Sequence, residues 1–427
     1  MTMKIKKARG TRDFLPEEMW LRDFVEKKII EVFETFGYRK IMIPTFEHST
    51  LFKIKSGEEI LEHMYTFKDK GGRELCLRPE ATASVCRMFA EEMRGEKKPL
   101  RLYYSCPMFR YEEPQRGRYR EFWQIGIELI GPKNEYSDAE VISLASLALK
   151  NLGITHKLEI NHIGILRNLL RDLGVDQKLQ SRIMTLIDKK DPSLEDFLKK
   201  NVKKDWEKIL ELIQLRGEKE ILARATELLS DHKSCLLSIE ELKRILDILD
   251  YIEIEYEVDM SIARGLEYYT GMVFEIKAEE LGSQSQICGG GRYDSLIEIL
   301  CNEKVPAVGF AFGFDRVVEV VKLKGLNFPE KRLDILVVPV SEEERKDAIK
   351  LVNSLRNNFI GKLSVTLELM NRSLRKALEY ANSIKARYVI IVGKRDLENG
   401  KVTIKNMDLG KEEKINLEEI TNFFKEA

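Results

Sequence analysis

Between Arg101 and Gly131 the chain reads RLYYSCPMFRYEEPQRGRYREFWQIGIELIG, two apolar-rich stretches around a charged one. The pattern predicts two β-strands, Leu102–Phe109 and Glu121–Ile130, joined by a loop. In the second strand Trp123, Ile125, Ile127 and Leu129 share one face, and Phe122, Gln124, Gly126, Glu128 and Ile130 share the other. An ordinary amphipathic strand would turn that second face to water. A ring, an amide, a bare glycine and a carboxylate in a row suit instead the floor of a ligand site, with Gly126 leaving room for something bulky. Arg110 ends the first strand, and Gln115, Arg116, Arg118 and Arg120 occupy the loop. Guanidinium groups bind phosphate through paired hydrogen bonds and keep their charge near pH 7.

Elsewhere the periodicity alternates between helix and strand. Pro16 opens a helix with Leu21, Phe24, Val25, Ile29, Val32, Phe33 and Phe36 at helical spacing; Gly37 closes it, and Tyr38–Ile43 predicts a strand ending at Pro44. Leu75–Ser84 predicts a strand passing into a helix at Pro79, with Glu80 and Thr82 in its first turn, where an acid commonly offsets the helix dipole. Ser137 with Glu140 reads as a capping box for a helix through Leu149. From Gly164 to Asp250, Leu, Ile, Lys and Glu recur at helical spacing, an all-helical insert whose charges read as a solvated face.

Strand character resumes over Tyr251–Met260 and continues into ARGLEYYTGMVFEI, Ala263–Ile276. In CGGGRYDSL, Cys288–Leu296, three glycines precede Arg292 and Tyr293, which are expected to open a helix. The spacing fits neither a Walker nor a Rossmann loop, so close backbone approach or a tight turn is the expected role. AVGFAFGFDRVVEVV, Ala307–Val321, predicts a glycine-punctuated strand and then a helix with Arg316 in its first turn; a cation there opposes the dipole and implies an anionic ligand. After the linker-like GLNFPEKR, strands LDILVVPV, LSVTLEL and RYVIIVG alternate with helices, predicting a separate α/β domain with a mostly parallel sheet.

Composition narrows the partners. The 427 residues suggest two or three domains, and 71 basic residues cancel 71 acidic ones, so a nucleic acid would be held by local patches. Six cysteines without a CxxC pair and five scattered histidines indicate neither a disulfide framework nor a zinc site, which suits a reducing cytoplasm. No leader-like apolar segment opens the chain and no apolar run approaches about 18 residues, so a cytoplasmic protein without a membrane partner is expected.

FRYEEPQRGRYREFWQIGIE resembles motif 2 of the class II aminoacyl-tRNA synthetases, in the form found in the histidyl-tRNA synthetase family. RGLEYYTG and GGGRYD resemble that family's histidine-specific signatures, the helix and strand before Pro44 resemble motif 1, and Ala307–Val321 resembles motif 3. The resemblance spans nearly all of residues 1–325 and continues in the C-terminal unit. It implies an α/β chain: an α+β catalytic domain with an antiparallel sheet flanked by helices, a helical insertion, and an α/β anticodon-binding domain. The implied boundaries are 1–163 and 251–325 for the two catalytic parts, 164–250 for the insertion, 326–332 for a linker and 333–427 for the last domain.

The implied activity is activation of L-histidine with ATP, accompanied by Mg²⁺, and transfer to tRNA-His by a homodimer. By the same resemblance Arg110, Arg264 and Arg316 would be catalytic. Glu80, Thr82, Gln124, Glu128, Arg264, Tyr268, Tyr269 and Tyr293 would bind histidine, with Glu128 and Tyr269 on the imidazole. Arg110, Glu112, Arg118, Phe122 and Arg316 would bind ATP, and Gln115 and Arg116 would meet the tRNA acceptor end. No protein ligand to a metal is implied. Glu267 and Asp315 depart from the family, which usually has Asp and Glu there. A histidine-binding regulatory paralogue of ATP phosphoribosyltransferase and another class II synthetase are the alternative readings; binding of the acceptor arm is the alternative for the insert.

Overall fold

The computed structural model describes residues 5–54, 61–113, 119–263, 268–326, 328–329 and 331–426. The expectations for Gln115, Arg116, Arg118, Arg264 and Glu267 therefore lie outside the described residues. The chain divides into two compact units, Met1–Asn327 and Phe328–Ala427.

Among the described residues, the first unit is built on a nine-stranded sheet. In spatial order its strands are Arg39–Lys40, Leu100–Phe109, Glu121–Ile130, Ala307–Gly313, Gln286–Arg292, Met272–Lys277, Lys157–His162, Glu257–Asp259 and Arg216–Gly217. Neighbours run antiparallel except at Arg39–Lys40 with Leu102–Tyr103 and at Glu159–Ile160 with Glu257–Val258. The hairpin that the alternation predicts is present, with its first strand starting two residues earlier, at Leu100.

The register explains the two faces of this sheet. Gly309 pairs with Glu128, Ala311 with Gly126 and Gly313 with Gln124, while Gly289 pairs with Ala311 and Gly291 with Gly309. Small residues therefore share one face across two central strands, as period-two alternation requires. Val308, Phe310 and Phe312 point to the opposite face and are buried. There the helices Pro16–Thr35 and Glu135–Asn151 pack over the sheet, with the Phe33 ring 5.9 Å from that of Phe310. One face is a core and the other is left hollow.

Several local expectations are corrected. GGGR lies in the strand Gln286–Arg292, and the following helix is Leu296–Cys301. The glycines are needed because two strands flank them: a Cβ on Gly290 would stand 2.5 Å from the Cβ of Phe310. Pro79 and Glu80 precede the helix Thr82–Met88 and do not open it. Asn134 caps Glu135–Asn151 by accepting from the Ser137 N–H, whereas Glu140 accepts from Arg101 at 3.0 and 2.9 Å. Tyr251 ends the helix Lys233–Tyr251, which Glu253 closes in a left-handed conformation at φ 57°; only Glu257–Asp259 is strand. The strand before Pro44 shrinks to Arg39–Lys40.

Six helices occupy the described insert region, Ile163–Asp172, Gln177–Asp188, Leu194–Asn201, Trp206–Gln214, Ile221–Leu228 and Lys233–Tyr251. They are interrupted by the two-residue strand Arg216–Gly217, which the helical pattern concealed. In the second unit, strands Val365–Leu367, Ile335–Pro339 and Tyr388–Val392 run parallel, and the antiparallel strands Lys401–Asn406 and Glu412–Asn416 extend the sheet. The expected mostly parallel sheet is thus half antiparallel, because the polar KVTIKN and EEKIN segments form a hairpin before the last helix, Ile420–Glu426.

Candidate active site

The hollow face forms the floor of a cavity of about 550 Å³. Glu80, Thr82, Arg110, Glu112, Phe122, Gln124, Tyr268, Tyr269, Tyr293 and Arg316 all line it, although they come from five separate segments. Glu128 stands just beneath, 1 % exposed, with one carboxylate oxygen accepting from Thr82 Oγ1 at 2.7 Å and the other accepting from the Tyr293 hydroxyl. Thr82 and Tyr293 thus hold Glu128 from two sides, and Tyr269 lines the cavity beside them. Tyr268 packs between the two other tyrosines, its ring centroid 4.9 Å from Tyr269 and 5.7 Å from Tyr293.

Gly309 is what lets Glu128 sit there. A Cβ at position 309 would fall 1.9 Å from Glu128 Oε2, so any side chain would displace the carboxylate. Gly126 has a different role from the expected one. Its space is filled by the Tyr104 hydroxyl, 2.6 Å from where a Cβ would stand, and by the Phe310 carbonyl at 2.4 Å. Room for a bulky ligand comes instead from the small residues of Ala307–Gly313 and Gln286–Arg292.

Burial governs the carboxylates. Glu128 is pushed up to about 8 by desolvation, against the Tyr293 and Thr82 hydroxyls that favour its ionised form. Glu80 is pushed up to about 7 by desolvation, against the backbone N–H groups of Ala83 and Thr82 and the nearby charge of Arg110. Two acids poised in this way ionise readily when a cationic or N–H-donating ligand arrives.

Arg110 is fixed by its own Nε, which donates to the Pro79 carbonyl at 2.9 Å, and its guanidinium lies 5.3 Å from the Phe122 ring centroid. Glu112 approaches it to 4.0 Å. Arg316 donates to the Gln286 carbonyl at 2.7 Å across the cavity floor. Arg78, wholly inside, donates to the carbonyls of Pro107, Ile43 and Pro44 at 2.8, 2.7 and 2.7 Å, tying three chain segments together below Glu80.

Sequence reasoning missed a brace behind the hairpin. Asp315 accepts from Arg12 at 2.7 Å, from Arg22 at 2.6 Å and from the Trp123 N–H at 2.7 Å. Arg12 in turn lies 3.7 Å over the Tyr119 ring, and the Gly10 carbonyl accepts from the Arg120 N–H at 2.9 Å. The only sequence sign was an acid beside Arg316 at a helix start. Arg292 is also structural: it donates to Asp138, Ser137 and Asp294 on the core side of the sheet. The turn Asp188–Lys190 of the helical insert also lines the cavity, which helical periodicity could not reveal.

No group of three or more His, Cys, Asp or Glu side chains able to hold a metal converges among the described residues. Their six cysteines are free, and none of their helices is long and apolar enough to cross a membrane.

Comparison with known proteins identifies the family. A family model described as histidyl-tRNA synthetase matches residues 10–317, and one described as an anticodon binding domain matches residues 334–427. The histidine–tRNA ligase of Methanocaldococcus jannaschii is 46 % identical over 427 residues, 99 % of this chain and 100 % of that one. Apo histidyl-tRNA synthetase of S. aureus superposes with a TM-score of 0.72 at 29 % identity, covering 99 % and 100 % of the two chains. A Bacillus halodurans protein described as an ATP phosphoribosyltransferase regulatory subunit/histidyl-tRNA synthetase superposes with a TM-score of 0.77 at 27 % identity, covering 92 % and 100 %.

Proposed function

The chain belongs to the histidyl-tRNA synthetase family, and from that premise we propose how its cavity divides the work. The enzyme activates L-histidine with ATP and transfers it to tRNA-His. In the first step a histidine carboxylate oxygen attacks the α-phosphorus and pyrophosphate leaves. Charge gathers on the phosphoryl oxygens, so fixed cations are the main requirement. Arg110 and Arg264 hold the α-phosphate, while Arg118 and Arg316 take the outer phosphates. Phe122 stacks on the adenine and Glu112 accepts from its amino group. Mg²⁺ entering with ATP would offset charge on the nucleotide phosphates, and no side chain of this chain is assigned to hold it.

Histidine enters with its ammonium toward Glu80 and Gln124 and its ring toward Tyr268, Tyr269 and the Thr82–Glu128–Tyr293 cluster. An imidazole N–H there meets an acceptor that burial has made eager for a donor, which an apolar or hydroxyl-bearing side chain does not replace. The observation that carries this reading is the convergence of these polar groups with Arg110 and Arg316 around one glycine-floored cavity. In ATP–pyrophosphate exchange across the amino acids, histidine alone is expected to support turnover. Equal exchange with proline or threonine overturns the assignment.

In transfer, the 3′-terminal adenosine hydroxyl attacks the adenylate carbonyl, AMP leaves, and a phosphate oxygen of the adenylate takes the proton. Gln115 and Arg116 meet the acceptor end, one reading a base and the other a phosphate. Gln115→Ala is expected to leave pyrophosphate exchange intact and to weaken charging, less so on a transcript lacking the extra 5′ guanosine. Arg116→Ala weakens binding of both transcripts alike and lowers the salt dependence. Wild-type charging of both transcripts by both variants removes this role from the loop. The anticodon-binding match at residues 334–427 argues against a histidine sensor that never meets tRNA.

Exposed Met42 and Phe46, just beyond the first helix, suit a homodimer contact, and six free cysteines suit the cytoplasm.

A further inference from the structure

We infer that Arg216, on the helical insert's two-residue strand, is a positioning residue for the segment that leads to Arg264. Three carboxylates and their cations meet where the insert returns to the catalytic sheet. Arg216 donates to Glu159 at 2.5 Å and to Glu257 at 2.8 Å, and its third nitrogen stands 3.7 Å from Asp259. Glu159 is 1 % exposed, and its second oxygen accepts from Lys277, which lines the active-site cavity. A surface ion pair would contribute little, but Glu159 is buried, and without Arg216 one of its oxygens would lose its cationic donor while Lys277 kept the other. Arg216 is therefore held in place by a group that cannot release it cheaply.

The consequence reaches the cavity through Asp259. Its Oδ1 accepts from the Ser261 N–H at 2.9 Å and from the Ser261 hydroxyl at 2.5 Å, and its main chain accepts from the Ile262 N–H at 3.2 Å. The Met260 N–H donates to Leu215 on the insert at 3.1 Å, and Asn161 donates to the carbonyls of Met260 and Ile262 at 3.3 and 3.0 Å. Asp259, Ser261 and Ile262 all line the cavity. Arg264 follows Ile262 by two residues. The insert thus supplies a charge beside Asp259, and Asp259 orders the main chain as far as Ile262, two positions before Arg264 in the sequence. A guanidinium answers three carboxylates at once, which the single ammonium of a lysine cannot match.

This inference rests on the role proposed above for Arg264, and the test separates the two. Single-turnover formation of histidyl-adenylate, normalised to titrated active sites, is measured for wild type, Arg216→Met, Arg264→Ala and the double variant. Arg216→Met is expected to lower the rate about tenfold or more, as a small misplacement of a reacting group does, with KM for ATP and histidine within about twofold. The loss vanishes in the Arg264→Ala background if both residues act on one element. Arg216→Lys recovers part of it, and carries the comparison should Arg216→Met fail to fold. A rate per active site within twofold of wild type, or a loss fully additive with Arg264→Ala, overturns the inference. A near-wild-type rate for Arg264→Ala overturns the role of Arg264 itself, and the route through it.

Discussion

Arg264→Ala is expected to slow histidyl-adenylate formation by a factor on the order of 10³ or more, while affinity for tRNA stays unchanged; that magnitude is typical of an arginine that stabilises a transferring phosphoryl group. The physical reason lies in the charges around the cavity. Glu80, Glu112, Asp188, Asp259, Glu275 and Asp315 line it beside Arg110, Lys189, Lys190, Lys277 and Arg316, so acids already match these cations before the reaction brings a triphosphate and the carboxylate of histidine. The cations on the wall carry protein contacts as well: Arg316 spans to Gln286, Arg110 to Pro79, and Lys277 to Glu159. A guanidinium dedicated to the α-phosphate is then worth more than in water, because the cavity walls screen it little. Rapid-quench single-turnover measurement decides the matter. A variant within tenfold of wild type has lost no phosphoryl contact.

Glu128→Gln is expected to do two opposite things: cut kcat/KM for histidine in pyrophosphate exchange by roughly 10²-fold or more, and raise the melting temperature of the ligand-free protein at pH 8 by about 2–5 °C. Burial pushes Glu128 up to about 8, far above the ordinary carboxylate value of 4.5. Between those two pH values the folded protein holds a proton that the unfolded chain has already released. Stability contributed at this position is therefore complete below pH 4.5 and is lost as pH rises toward 8. Glutamine cannot ionise, its amide oxygen accepts from one hydroxyl, and its amide N–H donates to the other. The gain in melting temperature thus disappears near pH 4.5. Equal melting curves at pH 8, or unchanged histidine dependence, argue against the buried carboxylate as the imidazole's partner. Stability lost to a poised acid is a common cost of a functional site.

Much of the site was legible along the chain because a β-strand exposes its purpose through alternation. Phe122, Gln124 and Glu128 share the cavity side of Glu121–Ile130, as period two requires, and the strand has the predicted bounds. The alternation of small and large residues in AVGFAFG also marked one face as empty; it was visible in the sequence but pointed to no partner. What the chain could not disclose were relations between strands. That Gly309 stands opposite Glu128 follows from the pairing of residues some 180 positions apart, and only that register explains why position 309 tolerates no side chain. The same holds for GGGR, for which local glycine content suggested close backbone approach or a tight turn and which two neighbouring strands made into a strand.

Charge pairing was the least legible. Asp315 meets Arg12 and Arg22 across about 300 residues, and Arg216 finds Glu159 from within a stretch of helical periodicity. Sequence by itself determined which residue types were available and which face of each element they occupied, because those depend on neighbours two to four positions away. Tertiary structure decided which carboxylate each hydroxyl and guanidinium would satisfy, because a buried polar group takes whatever partner the packing of distant segments brings within about 3 Å.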